Sequence, residues 1–533
     1  MINKMTIKEY FEKHKIHFIP ALSNDLDIAC PFCKATDING FLIPSLQVNQ
    51  NSGRGNCQTC NISKEFLEII EELELGDDIE EFNDGIIKLI EKSQTKKKYY
   101  SSKNTQDAGI EIELEEVDRI KKFEKPEKET TIEGWRSIIK SNFPELLFPA
   151  EIGLSIISQL LIQDITNPFA LVLVDVPSSG KTITINFFSE IDGLTYATDK
   201  FTPASFISNA TNVKKHELPK IDLLPRLRYK MFLIRDLSVI FSKPEESLNE
   251  CLGILTRVLD GEGLNTDSGA HGQRYYVGEY LFMILAGSTP VPPRVWKMMG
   301  NLGSRLFFLN MGAKEKSETE LANQVTTLAY KEKEKICRLT TKNFINTLWY
   351  KSQKGIDWDK TRDKQEYKVI VARCARLLAR LRGVINVWKD RTRESEAYDY
   401  TNPVIEMPDR INQLFYNICR GHAVIHGRTQ INKEDLKLIV ELAIDSSPTT
   451  RAKLFRKLLE NNGVMKTSDV ESALKCSKPT ALKEMEALKI LDVCYITENS
   501  YGEVGEPEKE IHLTEDFKWF LSEECKTIRN ILP

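Results

Sequence analysis

The side chains best suited to chemistry lie in the segment Asp175-Val-Pro-Ser-Ser-Gly-Lys-Thr182. An apolar run precedes this segment and an amphipathic run follows it, which predicts a strand, a tight loop and a helix. In a phosphate-binding loop of this kind, backbone N–H groups surround the phosphates, the lysine reaches the β- and γ-phosphates and the hydroxyl binds Mg²⁺. Asp175 stands where the usual pattern has its first glycine. The segment predicts a site for ATP and Mg²⁺ that is formed by Pro177, Ser178, Ser179, Gly180, Lys181 and Thr182.

Four cysteines form two close pairs, Cys30 with Cys33 and Cys57 with Cys60. Two residues between the members of a pair let both thiolates reach one ion, and four thiolates suit tetrahedral Zn²⁺. A redox pair or free thiols is the alternative interpretation. Because four protein ligands leave no open position on the metal, the predicted zinc site is structural.

Length and charge limit the classes of protein to consider. A chain of 533 residues predicts about three or four domains. The net charge of −4 gives no overall basic field, so any surface for nucleic acid must be local. The sequence has neither an apolar run of about 18 residues nor a signal peptide. These features predict a cytoplasmic protein with no membrane partner.

Acidic and polar residues follow two further apolar segments. Met231-Phe-Leu-Ile234 leads into Arg235 and Asp236, where ATPases usually have aspartate and glutamate. Asp236 can hold the Mg²⁺ shell or act as the base that activates water, and both roles stay open. Ser288 and Thr289 follow the next apolar segment, and either hydroxyl can orient the attacking water.

Arg305 lies immediately before another apolar segment. Taken alone, it would most often be a surface charge. However, the order of phosphate-binding loop, Asp236, hydroxyl residues and Arg305 resembles the order of motifs in AAA+ ATPases. The resemblance implies that Arg305 is a finger that reaches the γ-phosphate held by the neighbouring subunit of a ring.

Three segments, residues 232–237, 257–262 and 302–305, are more narrowly similar to MCM-like helicases and replication proteins of phages, plasmids and other mobile elements. The resemblance implies a homo-hexameric ring around single-stranded or forked DNA, with ATP between subunits. The implied activity is ATP-driven unwinding in DNA replication of a mobile element. The alternative is a nucleotide-switched initiator or helicase loader that binds DNA without unwinding it. The departures at Asp175 and Arg235 favour the alternative.

The two cysteine pairs and the Pro44-Ser-Leu-Gln-Val48 segment between them resemble the zinc-binding domain of bacterial and phage DNA primases. That family usually has histidine at the position of Cys33, and its zinc domain touches single-stranded template. No catalytic module of a primase follows in the sequence, so primer synthesis is not predicted. A separate primase or a single-strand-binding protein is a further partner that the resemblance allows.

Two loops are candidates for contact with DNA. MCM-like helicases have a hairpin that projects into the central channel just before the strand that carries the sensor residue. In this chain the corresponding segment precedes the strand that ends at Ser288, which implies phosphate contacts from His271 and Arg274. A plain surface loop explains this segment equally well. Lys214 and Lys215 precede the Asp236 strand and suggest a second channel loop, although a solvated loop explains them too.

The carboxy-terminal half is predicted to be helical over residues 316–350 and 363–390, and it resembles the AAA+ lid. Arg410 stands near the position of a second sensor arginine, which implies contact with the nucleotide. From Thr449 onward, three short helices and a hairpin predict a winged helix, whose third helix would read DNA. Its wing is acidic and would repel phosphate, so docking of a protein is an equal alternative.

The predicted fold class is an α/β AAA+ P-loop ATPase core with an all-α lid, an amino-terminal zinc ribbon and a carboxy-terminal winged helix. The predicted boundaries are 1–92 for the zinc ribbon with its helical tail, 93–132 for a charged linker, 133–315 for the ATPase core, 316–447 for the helical lid and 448–533 for the winged helix.

Overall fold

The structure is a computed structural model of the chain. It describes residues 7–13, 16–20, 25–31, 42, 44–49, 55–57, 59, 63–64, 69, 110–111, 118–199, 202–208, 217–268, 272–303, 305–313, 315–326, 330–389, 398–499 and 508–531. The chain divides into two compact units. The first comprises residues 1–110 and 267–273, and the second comprises residues 111–266 and 274–533.

The first unit contains helix α1 (Ile7–Lys13) and a five-stranded sheet whose neighbouring strands are antiparallel. Alternate residues such as Leu26, Ile28, Leu46 and Val48 are buried, as expected for strands with one face on a core. The segment between the cysteine pairs forms β3. The strands follow one another in sheet order: β1 (Phe18–Pro20), β2 (Asp25–Ala29), β3 (Pro44–Asn49), β4 (Gly55–Cys57) and β5 (Ser63–Lys64).

The centre of the second unit is a five-stranded parallel sheet with strand order β13-β7-β12-β9-β8. Continuous apolar runs form four of these strands because a parallel sheet is covered on both faces, whereas the edge strand β8 is polar and only partly buried. All five carboxyl ends lie at one edge, where loops of α/β proteins usually bind ligands. The strands are β7 (Phe169–Val174), β8 (Thr195–Thr198), β9 (Met231–Ile234), β12 (Met283–Ser288) and β13 (Leu306–Asn310).

Neighbouring residues of β13 show that both faces of the parallel sheet are covered. Phe307 packs against Phe169 and Phe415, with ring centroids 5.8 and 5.3 Å away. Phe308 points to the opposite face, where its ring centroid lies 4.7 Å from that of Trp296. The sheet with its helices therefore fits the predicted α/β P-loop ATPase core.

Helices precede the first strand of this core and connect the later ones. They are α2 (Ile132–Asn142), α3 (Leu147–Ser158), α4 (Lys181–Asn186), α5 (Leu218–Ile221), α6 (Leu223–Leu227), α7 (Ser238–Phe241), α8 (Glu245–Val258) and α9 (Pro293–Leu302). Outside the parallel sheet lie the short strand β6 (Ile110–Glu111) and the neighbouring strands β10 (Gly263–Ser268) and β11 (Gly272–Val277).

The end of the predicted linker is fixed to the core. Arg119 donates to the backbone carbonyls of Ile162 and Ile165 at 2.7 and 2.5 Å, and it pairs with Glu279 at 3.0 Å. The backbone N–H of Thr130 donates to the Thr347 hydroxyl at 3.2 Å. Residues 118–131 therefore belong to the folded second unit, because their backbone and side chains are held by it.

The predicted lid region consists mainly of helices and belongs to the same compact unit as the parallel sheet. The prediction of a helix over residues 363–390 is wrong at its end, since residues 387–389 pair as a strand with residues 398–400. The elements are α10 (Glu318–Thr326), α11 (Tyr330–Lys351), α12 (Gln365–Leu381), β14 (Val387–Lys389), β15 (Tyr398–Tyr400), α13 (Asp409–Ile425) and α14 (Leu436–Asp445).

The carboxy-terminal segment has four helices and a three-stranded antiparallel sheet, and its first three helices and the hairpin of its last two strands follow in the predicted order. Its function as a winged helix stays a prediction. Its elements are α15 (Thr449–Glu460), β16 (Val464–Lys466), α16 (Thr467–Leu474), α17 (Lys478–Ile490), β17 (Cys494–Asn499), β18 (Glu508–Leu513) and α18 (Glu523–Asn530). Among the helices that the structure describes, none has the length and apolar character needed to cross a membrane.

Candidate functional site

The predicted phosphate-binding loop connects the carboxyl end of β7 to the first residue of α4. Gly180 closes the loop with φ of 93°, in the left-handed region that favours glycine. A Cβ at this position would also lie 2.6 Å from the Leu146 side chain, so only glycine fits. The predicted succession of strand, loop and helix is confirmed.

The ammonium group of Lys181 lies across this loop. It donates to the backbone carbonyls of Asp175 and Val176 at 2.8 and 2.7 Å and to the Ser179 hydroxyl at 3.1 Å. Partial burial lowers the pKa of Lys181, whereas the negative charges of Asp175 and Asp236 act in the opposite direction. The lysine is thus held in place by neutral acceptors, which charged phosphate oxygens can replace.

Asp236 lies close enough to Lys181 for its charge to act on the lysine. Its carboxylate is exposed and accepts the Ser238 backbone N–H at 2.8 Å, which fixes the turn after β9. Arg235 points elsewhere and pairs with Asp199 at 2.7 Å. The Arg235 side chain therefore does not compete for the position beside Lys181, and the role of Asp236 as the acid of this site stays a prediction.

Ser288 lies next to the loop in the parallel sheet. It is paired in register with Val174, and its carbonyl accepts the Asp175 backbone N–H at 3.3 Å. Its hydroxyl is buried and donates to the Thr289 carbonyl at 2.8 Å. The structure thus brings Lys181, Asp236 and Ser288 to one edge of the sheet, because all three lie at or just beyond the carboxyl ends of neighbouring parallel strands.

Close packing around Gly287 holds these residues together. A Cβ on Gly287 would lie 2.7 Å from the Arg235 carbonyl oxygen and 3.6 Å from the Lys181 Cβ. We expect Gly287→Ala to lower the free energy of unfolding by about 1–3 kcal/mol, as for other overpacked sites, and to reduce ATP hydrolysis. Thermal unfolding and hydrolysis assays measure both effects.

Gly253→Ala is the matched control for this substitution. Gly253 lies in α8 with nothing within 4 Å of an added Cβ. Alanine is the better helix former by about 1 kcal/mol, so this variant should keep or gain stability. Equal behaviour of the two variants would contradict the close packing at Gly287.

Arg305 and Arg410 lie together at the amino-terminal ends of the parallel strands, opposite the end that has the phosphate-binding loop. The Arg305 guanidinium is buried and pairs with Asp260, and Arg410 reaches the same carboxylate at 3.9 Å. Gly261, the next residue, packs against Thr166 and Pro168 just before β7. The six residues of β7 separate the arginine cluster from the phosphate-binding loop. At roughly 3.3 Å per strand residue, the cluster and the loop are about 20 Å apart.

This position corrects the prediction for Arg410. It cannot contact a nucleotide held by the loop of the same chain, because the full length of β7 lies between them. The sequence suggested that Arg410 contacts the nucleotide only through the order of motifs. That order does not specify at which end of the parallel strands the arginine lies. An arginine finger contacts the nucleotide of a neighbouring subunit, so it must lie away from the loop of its own chain. Arg305 meets this condition, and its role as a finger stays a prediction.

The predicted DNA contacts are largely outside the described residues, which exclude Lys214, Lys215 and His271. Arg274 is described and is buried, with 6% of its surface exposed. It donates to the Ser208 carbonyl at 2.5 Å. The expectation that Arg274 is an exposed side chain available to a DNA phosphate is therefore wrong for the single chain.

Two of the four predicted zinc ligands are described, and both are buried in the first unit. Cys57 ends β4, opposite Leu46, and its sulfur lies 3.7 Å from the Ser45 hydroxyl oxygen. Cys30 directly follows β2. Cys33 and Cys60 lie outside the described residues, so zinc binding by the four thiolates stays a prediction.

We expect the purified chain to contain one zinc ion and Cys57→Ser to contain clearly less, because serine is a much poorer zinc ligand than a thiolate. Elemental analysis measures the metal content. Cys251→Ser is the control, since Cys251 is a buried cysteine of α8 in the second unit. Full zinc content in Cys57→Ser would exclude the predicted ligand set.

A second cluster with metal-binding side chains was not predicted. Among the described residues, Glu151, His422 and His426 bring their ligand atoms within 4.8 Å of one another. However, the Arg136 guanidinium donates to both Glu151 carboxylate oxygens and lies 3.3 Å from His426. The positive charge that a metal would supply is already present, so this cluster is a buried ion network.

The network continues through His422 to Asp435. The two ring nitrogens of His422 lie 2.8 Å from Glu151 and 2.5 Å from Asp435. Arg428 donates to both Asp435 oxygens at 2.8 and 2.7 Å. Burial by itself lowers the pKa of His422, but its hydrogen bonds to Asp435 and Glu151 raise the pKa overall. The two carboxylates therefore favour the charged form of the imidazole.

This network predicts a pH dependence of stability. A raised pKa means that the His422 contribution is complete below 6.5, its ordinary value, and is lost as pH rises through the folded-state pKa. The pKa values of Glu151 and Asp435 are lowered, so their contributions are complete above 4.5 and are lost in acid. We expect His422→Gln to destabilise most between these two limits, as measured by urea unfolding across pH. A constant difference from the wild type at every pH would contradict the charged imidazole.

Sequence and structure comparisons give little beyond this geometry. No protein-family model matches the chain, and no curated protein matches it. A candidate ATPase from Cytophaga hutchinsonii superimposes with a TM-score of 0.30 at 15% identity, over 59% of this chain and 86% of that protein. The apo C-terminal region of NrS-1 superimposes with a TM-score of 0.27 at 12% identity, over 75% and 79% of the two chains. Neither similarity is high enough to assign a function.

Proposed function

We propose that the chain is an ATP-dependent, ring-forming DNA helicase or translocase that acts in DNA replication of a mobile element. The observation that carries the ATPase part is the convergence of Lys181, Asp236 and Ser288 at the carboxyl edge of a parallel sheet. A lysine for phosphates, an acid for Mg²⁺ or water and a hydroxyl for orientation are the groups that phosphoryl transfer requires. The DNA part rests on the resemblance of motif order to MCM-like helicases.

The position of Arg305 supports an active site shared between subunits. In one chain, Arg305 and the phosphate-binding loop lie at opposite edges of the sheet, so Arg305 can act only on the nucleotide of a neighbour. In the single chain its guanidinium pairs with Asp260. Arg410 lies beside it with 49% of its side chain exposed, which keeps a second arginine on the same surface.

Complementation between inactive subunits tests this proposal. Lys181→Ala subunits keep the arginine edge, and Arg305→Ala subunits keep the loop. If ATP sites form between subunits, a mixture should recover part of the hydrolysis and forked-DNA unwinding that each variant lacks. Arg305→Lys, which keeps a positive charge beside Asp260 but loses the guanidinium, replaces Arg305→Ala if the latter does not fold. No recovery in any mixture, or a single-subunit particle in the presence of ATP, would count against a ring.

A nucleotide-switched initiator or loader remains the second candidate. The observation in its favour is Arg235, which takes the place of the usual acid and pairs with Asp199 instead of a metal. Burial of Arg274 removes one expected contact with DNA. Binding to duplex DNA that requires ATP, without hydrolysis or unwinding, would favour this candidate.

A further inference from the structure

A cavity of about 190 Å³ lies beside the phosphate-binding loop. The cavity is lined by Val174, the last residue before the loop, and by Asn310 at the end of β13. Trp296 of α9 and Phe308 of β13 supply aromatic rings, and α15 contributes Thr449, Ala452, Lys453 and Arg456. The remaining lining residues are Val291, Asp445 and Ser447. The cavity is smaller than the roughly 300 Å³ of pockets for drug-sized ligands, so it suits one ring system and not a whole nucleotide.

The indole N–H of Trp296 requires an acceptor. Trp296 is 8% exposed, and its Nε1 is buried with no hydrogen-bond partner among the described residues. Buried polar groups in proteins are normally paired, because an unpaired one loses its bond to water without replacement. A ligand atom with a lone pair would satisfy this donor.

The sheet order gives the direction in which a bound nucleotide extends. Asp236 and Ser288 end β9 and β12, on one side of β7, whereas β13 lies on the other side. The terminal phosphate belongs with Lys181 and the acid, so the opposite end of the nucleotide extends toward β13. Asp175 also accepts the Ala313 backbone N–H at 2.9 Å, which ties the loop to the segment after β13.

We propose that this cavity receives the base of the nucleotide whose phosphates are held by the loop, an inference that rests on the proposed function. The base packs against the rings of Trp296 and Phe308, and the Trp296 N–H donates to a ring nitrogen or carbonyl oxygen of the base. Lys453 is exposed and brings a positive charge to the cavity, whose other two charged lining residues, Asp445 and Arg456, pair with each other at 2.7 Å. Because α15 belongs to the carboxy-terminal segment, binding of the base fixes that segment against the ATPase core.

Calorimetric titration of the full chain with Mg-ATP and with Mg-tripolyphosphate separates the two halves of the site. Wild-type protein should bind ATP at least about tenfold more tightly than tripolyphosphate, since only ATP has a base to bury. Ala452→Leu fills the cavity and should abolish this preference while leaving tripolyphosphate binding unchanged. Trp296→Phe keeps an aromatic ring and should weaken ATP binding by about three- to tenfold through loss of one hydrogen bond. Trp388→Phe is the control, because Trp388 is exposed on β14.

Each result decides between the cavity and the loop. Equal wild-type affinities for ATP and tripolyphosphate would overturn the assignment of the cavity, and so would unchanged ATP binding in both Ala452→Leu and Trp296→Phe. Equal weakening of both ligands in Trp296→Phe would also overturn it, because the effect would then lie in the loop. Tripolyphosphate binding that survives Lys181→Ala would instead contradict the proposed function, whatever the cavity variants show.

Discussion

Replacement of Lys181 with alanine is expected to lower ATP hydrolysis by about 100-fold or more, the loss found when one preorganised donor to a developing negative charge is removed. The Lys181 ammonium already lies across the loop, where two carbonyls and the Ser179 hydroxyl accept its hydrogen bonds. Nearby Asp236 would hold the magnesium shell or the attacking water. Without the lysine, the negative charge of the phosphates and of Asp236 has no counter-charge from this position.

Steady-state hydrolysis in the presence and absence of single-stranded DNA measures this effect. Lys140→Ala is the matched control, because Lys140 is an exposed lysine on α2, outside the loop. Asp236→Asn should also stop hydrolysis but should retain nucleotide binding, since Lys181 still contacts the phosphates. Wild-type hydrolysis in Lys181→Ala would mean that the loop is not the ATP site.

Asp435→Ala is expected to lower the free energy of unfolding by about 3–5 kcal/mol, the cost of removing one partner from a buried ion pair. Asp435 has 0% of its surface exposed and accepts hydrogen bonds from Arg428, His422 and the Asn432 backbone N–H. Alanine leaves the Arg428 and His422 charges without their shared counter-ion. The loss is large because this network joins α3, α13 and the turn before α14.

Urea unfolding at a pH below 6.5, where His422 is charged, measures this loss. Glu434→Ala is the control, since Glu434 is half exposed and lies 3.8 Å from the same Arg428. A surface pair of this kind contributes about 0–1 kcal/mol, so the control should stay close to the wild type. A loss of similar size in both variants would mean that the network contributes no more than a surface pair.

Local sequence was sufficient to predict the phosphate-binding loop, because the strand, the loop and the helix adjoin in the chain. The positions of Asp236 and Ser288 could also be predicted, since parallel strands bring their carboxyl ends to one edge. Arg410 was assigned to the wrong edge, because the order of motifs does not say where a helix 230 residues beyond the loop will pack. Arg274 was a candidate for phosphate contact because its segment resembles the channel hairpin of MCM-like helicases, but its guanidinium is buried and donates to the Ser208 carbonyl.

The ion network around Glu151 and the cavity beside Val174 left no signal in the sequence. Glu151 and His422 are 271 residues apart, and neither belongs to a recognisable motif. Lys453 and Trp296 likewise come from separate elements, and only packing of α15 and α9 around β13 brings them to one cavity.

The sequence by itself determined the chemistry that is available: a lysine and a hydroxyl after a buried strand, an acid after another strand, and two close cysteine pairs. Within each of these features the residues are close together in the sequence, so the local backbone conformation alone fixes their relative positions. Only the tertiary structure decided which side chains meet across long distances. It also decided that Arg305 and Arg410 share Asp260 away from the loop, and that the indole N–H of Trp296 has no hydrogen-bond partner within the described part of the chain. Such contacts arise from the packing of whole elements, which minimises unpaired buried charge and exposed apolar surface over the entire chain.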